Sequence, residues 1–221
     1  MKEKLTIILI VLAFVMLNVG IAGAQQNYQY VDLGLPSGTL WATCNVGANN
    51  PWEAGDYFAW GETKPKTDYS WSSYKWCKGT ENSLTKYCHE TQYGYNNFVD
   101  NIFTLQTSDD VATSKMGNGW RMPTSDEYEE LYTNCSWTWV TQNGKKGYEV
   151  RGTNGNKLFF PAAGAMDGTA RLGDNLGGAY WLSVNKEPGS STAYSLLFRA
   201  GYVNIDNRDR YAGFSVRAVR K

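Results

Sequence analysis

The residues with the richest chemistry for binding lie near the C-terminus. Tyrosine and arginine offer large planar contact surfaces there, and asparagine and aspartate offer adaptable hydrogen bonds, a mixture typical of recognition loops. The segment from Asn185 to Tyr211 is therefore predicted to form a ligand-binding surface, and a plain charged hairpin is the alternative interpretation. The candidate binding residues are Asn185, Arg199, Tyr202, Asn204, Asp206, Asn207, Arg208, Asp209 and Tyr211.

Residues that could catalyse a reaction are few. His89 is the single histidine, and Ser-His-Asp or Cys-His catalysis requires a histidine base. Paired carboxylates could hydrolyse glycosides, but a solvated loop is the simpler explanation of the one acidic and aromatic grouping. That grouping comprises Glu53, Asp56 and Glu62 with Trp52, Trp60 and Trp71. We predict no catalytic residue and a protein that is not an enzyme.

The four cysteines predict disulfides rather than a metal site. An even number of cysteines in an exported chain is typical of two disulfide bonds, and four cysteines allow three pairings. We favour Cys77 with Cys88, which would close a short hydrophilic loop, and Cys44 with Cys135. On a chain-entropy model the shorter loop contributes about 3 kcal/mol and the longer one somewhat over 4 kcal/mol. Zinc is the other use of Cys77, Cys88 and His89, but the spacing Cys-x2-Cys is absent, and we predict no metal and no cofactor.

The N-terminus predicts export. Lys2 and Lys4 precede an apolar run over residues 7–17, and small residues occupy positions 22–24, which is the pattern of a secretory signal peptide. A membrane anchor would need about 20 apolar residues, and Asn18 and Gly20 interrupt the run. We expect cleavage after Ala24, one domain over residues 25–221, no membrane insertion after cleavage, and a location in the periplasm or at the cell surface.

The charge balance argues against a nucleic-acid partner. Removing residues 1–24 takes away two lysines and one glutamate, so that 19 basic and 20 acidic side chains remain. Binding to phosphates requires a basic excess or a basic stripe.

Local patterns predict a mixed α+β domain. Helices are predicted over residues 109–116, capped by Ser108 and ended by Gly117, and over residues 125–134, where Thr124 and Glu127 have capping-box spacing. Residues 61–101 lack periodicity and are predicted to be a long surface loop. Trp41, Trp120 and Trp181 are expected in the core. Strands are predicted over residues 28–33, 39–44, 137–142, 148–152, 157–160, 179–184, 192–199, 202–206 and 213–220, since these are short alternating or apolar runs between turn residues.

Several motifs connect the chain to a known family. They are VDLGLPSGTLWATCNVG (31–47), YFAWGE (57–62), GNGWRMPTSDEYEEL (117–131), LFFPAAG (158–164), AYWLSV (179–184) and GFSVRAV (213–219). With these motifs in this order, the chain resembles the Fibrobacter-type major paralogous domain proteins, which are secreted or surface proteins. The resemblance implies a C-type-lectin-like fold with two helices, short antiparallel sheets and long loops. It implies little about activity, because most members of that family have no established one.

Three more distant resemblances bear on function. The Trp-Arg-Met-Pro-Thr motif and the terminal Gly-Phe-x-Val-Arg are similar to formylglycine-generating enzymes, which need a cysteine pair in the C-terminal half, whereas no cysteine follows Cys135. The segment 193–217 is similar to the diversified segment of retroelement variable proteins. Glu187-Pro188-Gly189 with Asn204 and Asp206 resembles the calcium and sugar site of C-type lectins, but Gly189 replaces the amide residue and Ile205 separates the pair.

These observations favour one function and leave two alternatives. The favoured function is noncatalytic recognition of an extracellular protein or glycan by the C-terminal strand and loop surface. A structural or surface-assembly component is the second hypothesis. An oxidase-like enzyme related to the formylglycine-generating enzymes is the third.

Overall fold

The computed structural model describes residues 28–117, 119–185 and 190–221. The predicted signal peptide and the Glu187-Pro188-Gly189 motif lie outside the described residues. Within these three ranges, no helix combines the length and the apolar character that a bilayer-spanning helix requires.

The described chain contains both helices and antiparallel strands, which confirms the predicted α+β class. Its helices are α1 (Val111–Met116) and α2 (Ser125–Asn134), and short 3-10 helices lie at Trp71–Ser73, Tyr95–Asn97 and Thr107–Asp109. Its strands are β1 (Tyr30–Asp32), β2 (Leu40–Ala42), β3 (Ser136–Gln142), β4 (Lys145–Arg151), β5 (Lys157–Pro161), β6 (Ala165–Asp167), β7 (Ala170–Leu172), β8 (Gly177–Trp181), β9 (Thr192–Arg199), β10 (Tyr202–Asp209) and β11 (Val219–Arg220).

The strands form four small antiparallel sheets. The sheet β1-β2-β11 joins the two ends of the described chain, β3-β4-β5 is a meander, β6-β7 is a hairpin, and β8 and β10 flank β9. Strand β10 is therefore an edge strand, and it pairs with β9 from Tyr202 opposite Arg199 to Asp209 opposite Thr192. This long pairing explains why β10 extends three residues beyond its predicted end.

Both helices were predicted, and α2 has the predicted ends. The Thr124 hydroxyl accepts a hydrogen bond from the Glu127 amide, and the Glu127 carboxylate accepts one from the Thr124 amide, which completes the capping box. Helix α1 begins two residues later than predicted, because Asp110 rather than Ser108 is its cap and accepts from the Thr113 amide. Gly117, with φ of 59°, ends α1 as predicted.

The sheet β8-β9-β10 separates two hydrophobic clusters. Because side chains alternate across a strand, Ala179, Trp181 and Ala193 face one cluster, whereas Tyr180 and Leu196 face the other. Trp41, Trp120 and Trp181 are buried as predicted. The hairpin β6-β7 was not predicted, since its short strands lie in a Gly-rich stretch without clear alternation.

The segment over residues 61–101 is not a plain surface loop, which corrects the prediction. It buries Tyr69, Tyr74, Leu84, Tyr87 and Cys88 and contributes to a third hydrophobic cluster. The aromatic side chains that made this segment look irregular in sequence fold back on one another, so no repeating pattern marks the buried positions.

The structure forms neither predicted disulfide, since Cys44, Cys77, Cys88 and Cys135 are all free thiols. The Cys77 thiol donates to the Trp71 carbonyl at 3.1 Å, and the Cys88 thiol donates to the Glu90 carbonyl at 3.2 Å. Disulfide formation requires that the two Cβ atoms approach each other. The spacing of cysteines along the chain does not show whether their Cβ atoms lie close together. In the fold, the buried thiols of Cys77 and Cys88 are hydrogen-bonded to two different carbonyls instead.

Arg217 is a fully buried arginine that joins several elements. Its Nε donates to Asn45 Oδ1 at 2.9 Å, its Nη1 donates to the carbonyls of Ala42 and Thr43, and its Nη2 donates to the Phe159 carbonyl at 3.0 Å. The guanidinium also lies 4.8 Å from the centre of the Phe160 ring. Burial lowers the pKa of Arg217 below its ordinary value. These bonds fasten the C-terminal segment to β2 and β5.

Replacing Arg217 with methionine tests this connection. Arg217→Met leaves four buried acceptors without their donors, so we expect the free energy of unfolding to fall by about 3–5 kcal/mol. Urea denaturation measures the change. Arg199→Met removes an exposed arginine and should change the unfolding free energy by less than about 0.5 kcal/mol. Equal effects in the two variants would contradict the structural role of Arg217.

Glu127 links α2 to the preceding segment through an ion pair. Its carboxylate accepts from Arg121 Nη1 at 2.7 Å and from Nη2 at 2.5 Å, and it also accepts from the Thr39 hydroxyl. Burial alone would raise the pKa of Glu127, but the hydrogen bonds from Arg121 and Thr124 outweigh it, and the pKa lies below its ordinary value.

This lowered pKa predicts a pH-dependent contribution to stability. A depressed carboxyl pKa stabilises the fold above the ordinary value of about 4.3, and the contribution disappears as the pH falls through the lower pKa of the folded state. Glu127→Gln should therefore lower the free energy of unfolding by about 1–3 kcal/mol at pH 7, and by progressively less below about pH 4. Urea denaturation at each pH measures this difference. Glu129→Gln, on the exposed side of α2, should cost less than about 0.5 kcal/mol. A Glu127→Gln cost that does not change with pH would contradict the ion-pair explanation.

Candidate ligand-binding cleft

The hairpin of β9 and β10 carries most of the predicted binding residues, but on two faces. Arg199 and Tyr202 stand opposite each other, and the Arg199 guanidinium lies 5.4 Å from the Tyr202 ring centre. Arg208 Nη1 lies 2.9 Å from Asp206 Oδ2 in an exposed ion pair. By the alternation of a strand these four residues and Asn204, which lies between Tyr202 and Asp206 on β10, share one side of the sheet, which we call the outer face of the hairpin.

Other predicted residues lie elsewhere. Asn207 and Asp209 are on the opposite side of β10 from Asp206, and burial raises the pKa of Asp209, with further contributions from the charges of Glu81 and Asp167. The Tyr211 ring lies 5.1 Å from the Trp71 ring, and burial raises the pKa of Tyr211. The structure therefore does not bring the predicted residues together as one continuous surface.

Two polar residues of the predicted segment are buried and support the fold. Asn185, predicted to bind ligand, is fully buried and donates from Nδ2 to the Tyr87 carbonyl at 3.0 Å. Arg210 is also fully buried, donates to the Tyr87 and Lys86 carbonyls, and lies 5.3 Å from the Trp60 ring centre. Asn185 is therefore corrected from a surface residue to a buried residue that holds the 61–101 segment.

A cleft of about 600 Å³ opens where β9 and β10 meet α2. Its aromatic walls come from Tyr128 and Tyr132 of α2, Trp137 of β3 and Tyr194 of β9. Val203 and Ile205 of β10 add apolar surface, Ser125 and Glu129 of α2 add polar groups, and Asn204 completes the lining between the two β10 residues. The volume lies within the range of about 300–1,000 Å³ that is typical of small-molecule sites.

The aromatic wall combines a fixed ring with an accessible one. Trp137 stacks on Phe160 with ring centres 5.7 Å apart and an interplanar angle of 22°. Tyr132 lies 6.1 Å from Trp137 and is 55% exposed. Trp137, held by its stacking on Phe160, and the exposed ring of Tyr132 together present an apolar surface to the cleft.

Two polar atoms of the lining side chains are buried without a partner. Within the described residues, neither Tyr128 Oη nor Trp137 Nε1 has a hydrogen-bond partner. Burial raises the pKa of Tyr128 well above its ordinary value. Buried polar groups normally find a partner, and the described residues include further unpartnered buried atoms outside the cleft, such as Trp41 Nε1 and Asn185 Oδ1.

Charge in the cleft is sparse. Among the described residues that line it, Glu129 is the only charged one, and there is no lysine, arginine, histidine or cysteine. Across residues 28–117, 119–185 and 190–221, no three His, Cys, Asp or Glu side chains group closely enough to hold a metal ion.

Sequence reasoning identified the β10 side of this cleft and missed the α2 side. Asn204 was predicted to bind ligand, and it borders the cleft, although the alternation of β10 places its side chain on the outer face. The capping box predicted helix α2, but the ends of a helix do not show which strand its side chains meet. The spacing of Tyr128 and Tyr132, four residues apart and followed by Trp137, was the available signal.

Comparisons of the chain with family models, with curated proteins and with solved structures give no match. A function for the cleft must therefore be argued from its own residues.

The unpartnered hydroxyl of Tyr128 predicts an unusual effect on stability. Tyr128→Phe removes a buried hydroxyl without a partner, so the free energy of unfolding should stay constant or rise by up to about 1 kcal/mol. Tyr180→Phe is the matched control, because the Tyr180 hydroxyl donates to the Pro161 carbonyl at 2.7 Å and accepts from Asn45. The free energy of unfolding of the Tyr180→Phe control should fall by about 1–3 kcal/mol. Chemical denaturation compares the two, and a loss above 1 kcal/mol for Tyr128→Phe would show that its hydroxyl has a partner.

Proposed function

We propose that this chain is a secreted, noncatalytic ligand-binding domain of C-type-lectin-like fold, and that it recognises an extracellular ligand through its C-terminal hairpin. The family motifs and the α+β architecture support the fold. The position of the cleft against β10, within the segment predicted for recognition, supports the function. This cleft, with its aromatic walls and its apolar strand side, is the observation that carries the proposal.

The lining chemistry supports recognition rather than catalysis. General acid and base catalysis at a glycosidic bond uses two carboxyl groups, and nucleophilic catalysis uses an activated side chain beside a base. The described lining residues include one carboxylate, Glu129, and neither histidine nor cysteine. Aromatic rings and amide groups are better suited to holding a ligand than to transforming it.

A binding experiment tests the proposal at the rim of the cleft. The secreted chain should bind at least one member of an array of glycans and extracellular proteins in a saturable way. Val203→Arg, on the side of β10 that borders the cleft, places a long charged side chain in the cleft and should weaken that binding about tenfold or more. Arg208→Ala, on the outer face of the hairpin, should change it less than about twofold.

The control variant makes this test decisive. Binding that survives Val203→Arg and is lost with Arg208→Ala would move recognition to the outer face. Binding that both variants keep would contradict a role of the hairpin in recognition.

Surface assembly is the second candidate, and one observation favours it. Leu172 and Leu176 are 51% and 69% exposed, and Tyr202 is 42% exposed, around a shallow groove of about 480 Å³ beside the outer face. Exposed apolar patches often mark protein contacts. If the array experiment finds no ligand and sedimentation shows self-association that Leu176→Lys weakens, assembly replaces recognition as the function.

A further inference from the structure

We propose that the cleft between α2 and β10 binds a short neutral oligosaccharide directly, through ring stacking and hydrogen bonds. This inference rests on the proposed function and adds the class of ligand. It follows from the ring surfaces, the free polar groups and the charge of the residues that line the cleft.

The aromatic wall suits the apolar face of a sugar ring. Aromatic side chains offer a large apolar surface with specific geometry, and the C–H groups on one face of a pyranose form a flat apolar patch of matching size. Tyr132 presents an exposed ring beside Trp137, and Trp137 is held in place by its stacking on Phe160. A platform that is fixed before binding loses little conformational entropy when the ligand arrives.

The polar groups suit sugar hydroxyls. Within the described part of the chain, no hydrogen bond or ion pair engages the side chains of Ser125 or Glu129, and both residues line the cleft. They supply a hydroxyl and a carboxylate, which together donate and accept hydrogen bonds. Sugar hydroxyls can satisfy a donor and an acceptor of this kind at once. The indole N–H of Trp137 is buried and has no acceptor among the described groups.

Charge selects a neutral sugar over an anionic one. Recognition of carboxylate, sulfate or phosphate groups uses arginine, lysine or clusters of backbone amides. No basic residue is among the described residues that line the cleft, and its single charge, on Glu129, is negative. An acidic sugar would meet repulsion without compensation.

The dimensions suit a small ligand. Small-molecule sites are typically concavities of about 300–1,000 Å³, and the cleft, at about 600 Å³, lies within that range. Direct hydrogen bonds are also the simpler mode here, because a calcium ion takes about six to eight oxygen ligands and the described lining residues include one carboxylate. Binding should therefore persist when divalent cations are removed.

Titration calorimetry with the secreted chain tests the ligand class. The neutral probes are cellotetraose, mannotetraose and triacetylchitotriose, and the anionic probe is tetragalacturonate. We expect saturable binding of at least one neutral probe, no binding of tetragalacturonate, and no change of Kd with EDTA. Tyr132→Ala should raise the Kd about tenfold, which is the loss of one stacked ring. Tyr202→Ala removes a similarly exposed tyrosine from the outer face and should change the Kd less than about twofold.

The outcomes separate this inference from the proposed function. Preference for tetragalacturonate, loss of binding in EDTA, or unchanged neutral-sugar binding in Tyr132→Ala would overturn the inference. If no neutral sugar binds while a protein on the array binds and Val203→Arg weakens that binding, the proposed function is retained and the sugar class is rejected. If nothing on the array or among the probes binds, both fall. Near-ultraviolet circular dichroism of each variant shows whether the fold is intact.

Discussion

The buried guanidinium of Arg217 connects the parts of this fold on which the cleft depends. Val216 and Ala218 face one hydrophobic cluster, so the alternation of the chain directs Arg217 towards the other. Because no carboxylate accepts from it in the described structure, backbone carbonyls and Asn45 satisfy its donors. Its guanidinium lies over Phe160, and Trp137, the fixed wall of the cleft, stacks on Phe160. The position of the wall therefore depends on a residue near the C-terminus.

The two sides of the hairpin have different roles because their neighbours differ. On the outer face, Asp206 and Arg208 neutralise each other in solvent, and an exposed ion pair of this kind contributes little to stability. On the opposite side, Val203 and Ile205 pack beside the core and border the cleft with α2. A mixture of Tyr, Arg, Asn and Asp in sequence predicts a recognition surface without saying which face carries it. The structure supplies that distinction.

Local interactions made part of the molecule predictable from sequence. Helix α2 has its predicted ends because the capping box of Thr124 and Glu127 lies within four residues, and β9 has its predicted ends because its apolar pattern is long. The burial of Asn185 and Arg210 was not predictable in this way, since both donate to carbonyls near Tyr87, more than 90 residues away. Contacts between residues far apart in sequence also form the α2 wall of the cleft, which was therefore missed. They also decide which cysteines meet, so the cysteine spacing predicted disulfides that the structure does not form.

Nuclear magnetic resonance of the indole N–H of Trp137 is the most direct measurement of ligand contact in the cleft. During titration with a bound neutral oligosaccharide, this resonance should shift in a saturable way, together with the backbone amides of Tyr132 and Asn204. The amide resonances of Arg199 and Arg208, which belong to the outer face and the shallow groove, should not shift. Shifts confined to Arg199, Tyr202 and Arg208, with the Trp137 resonance unmoved, would contradict binding in the cleft.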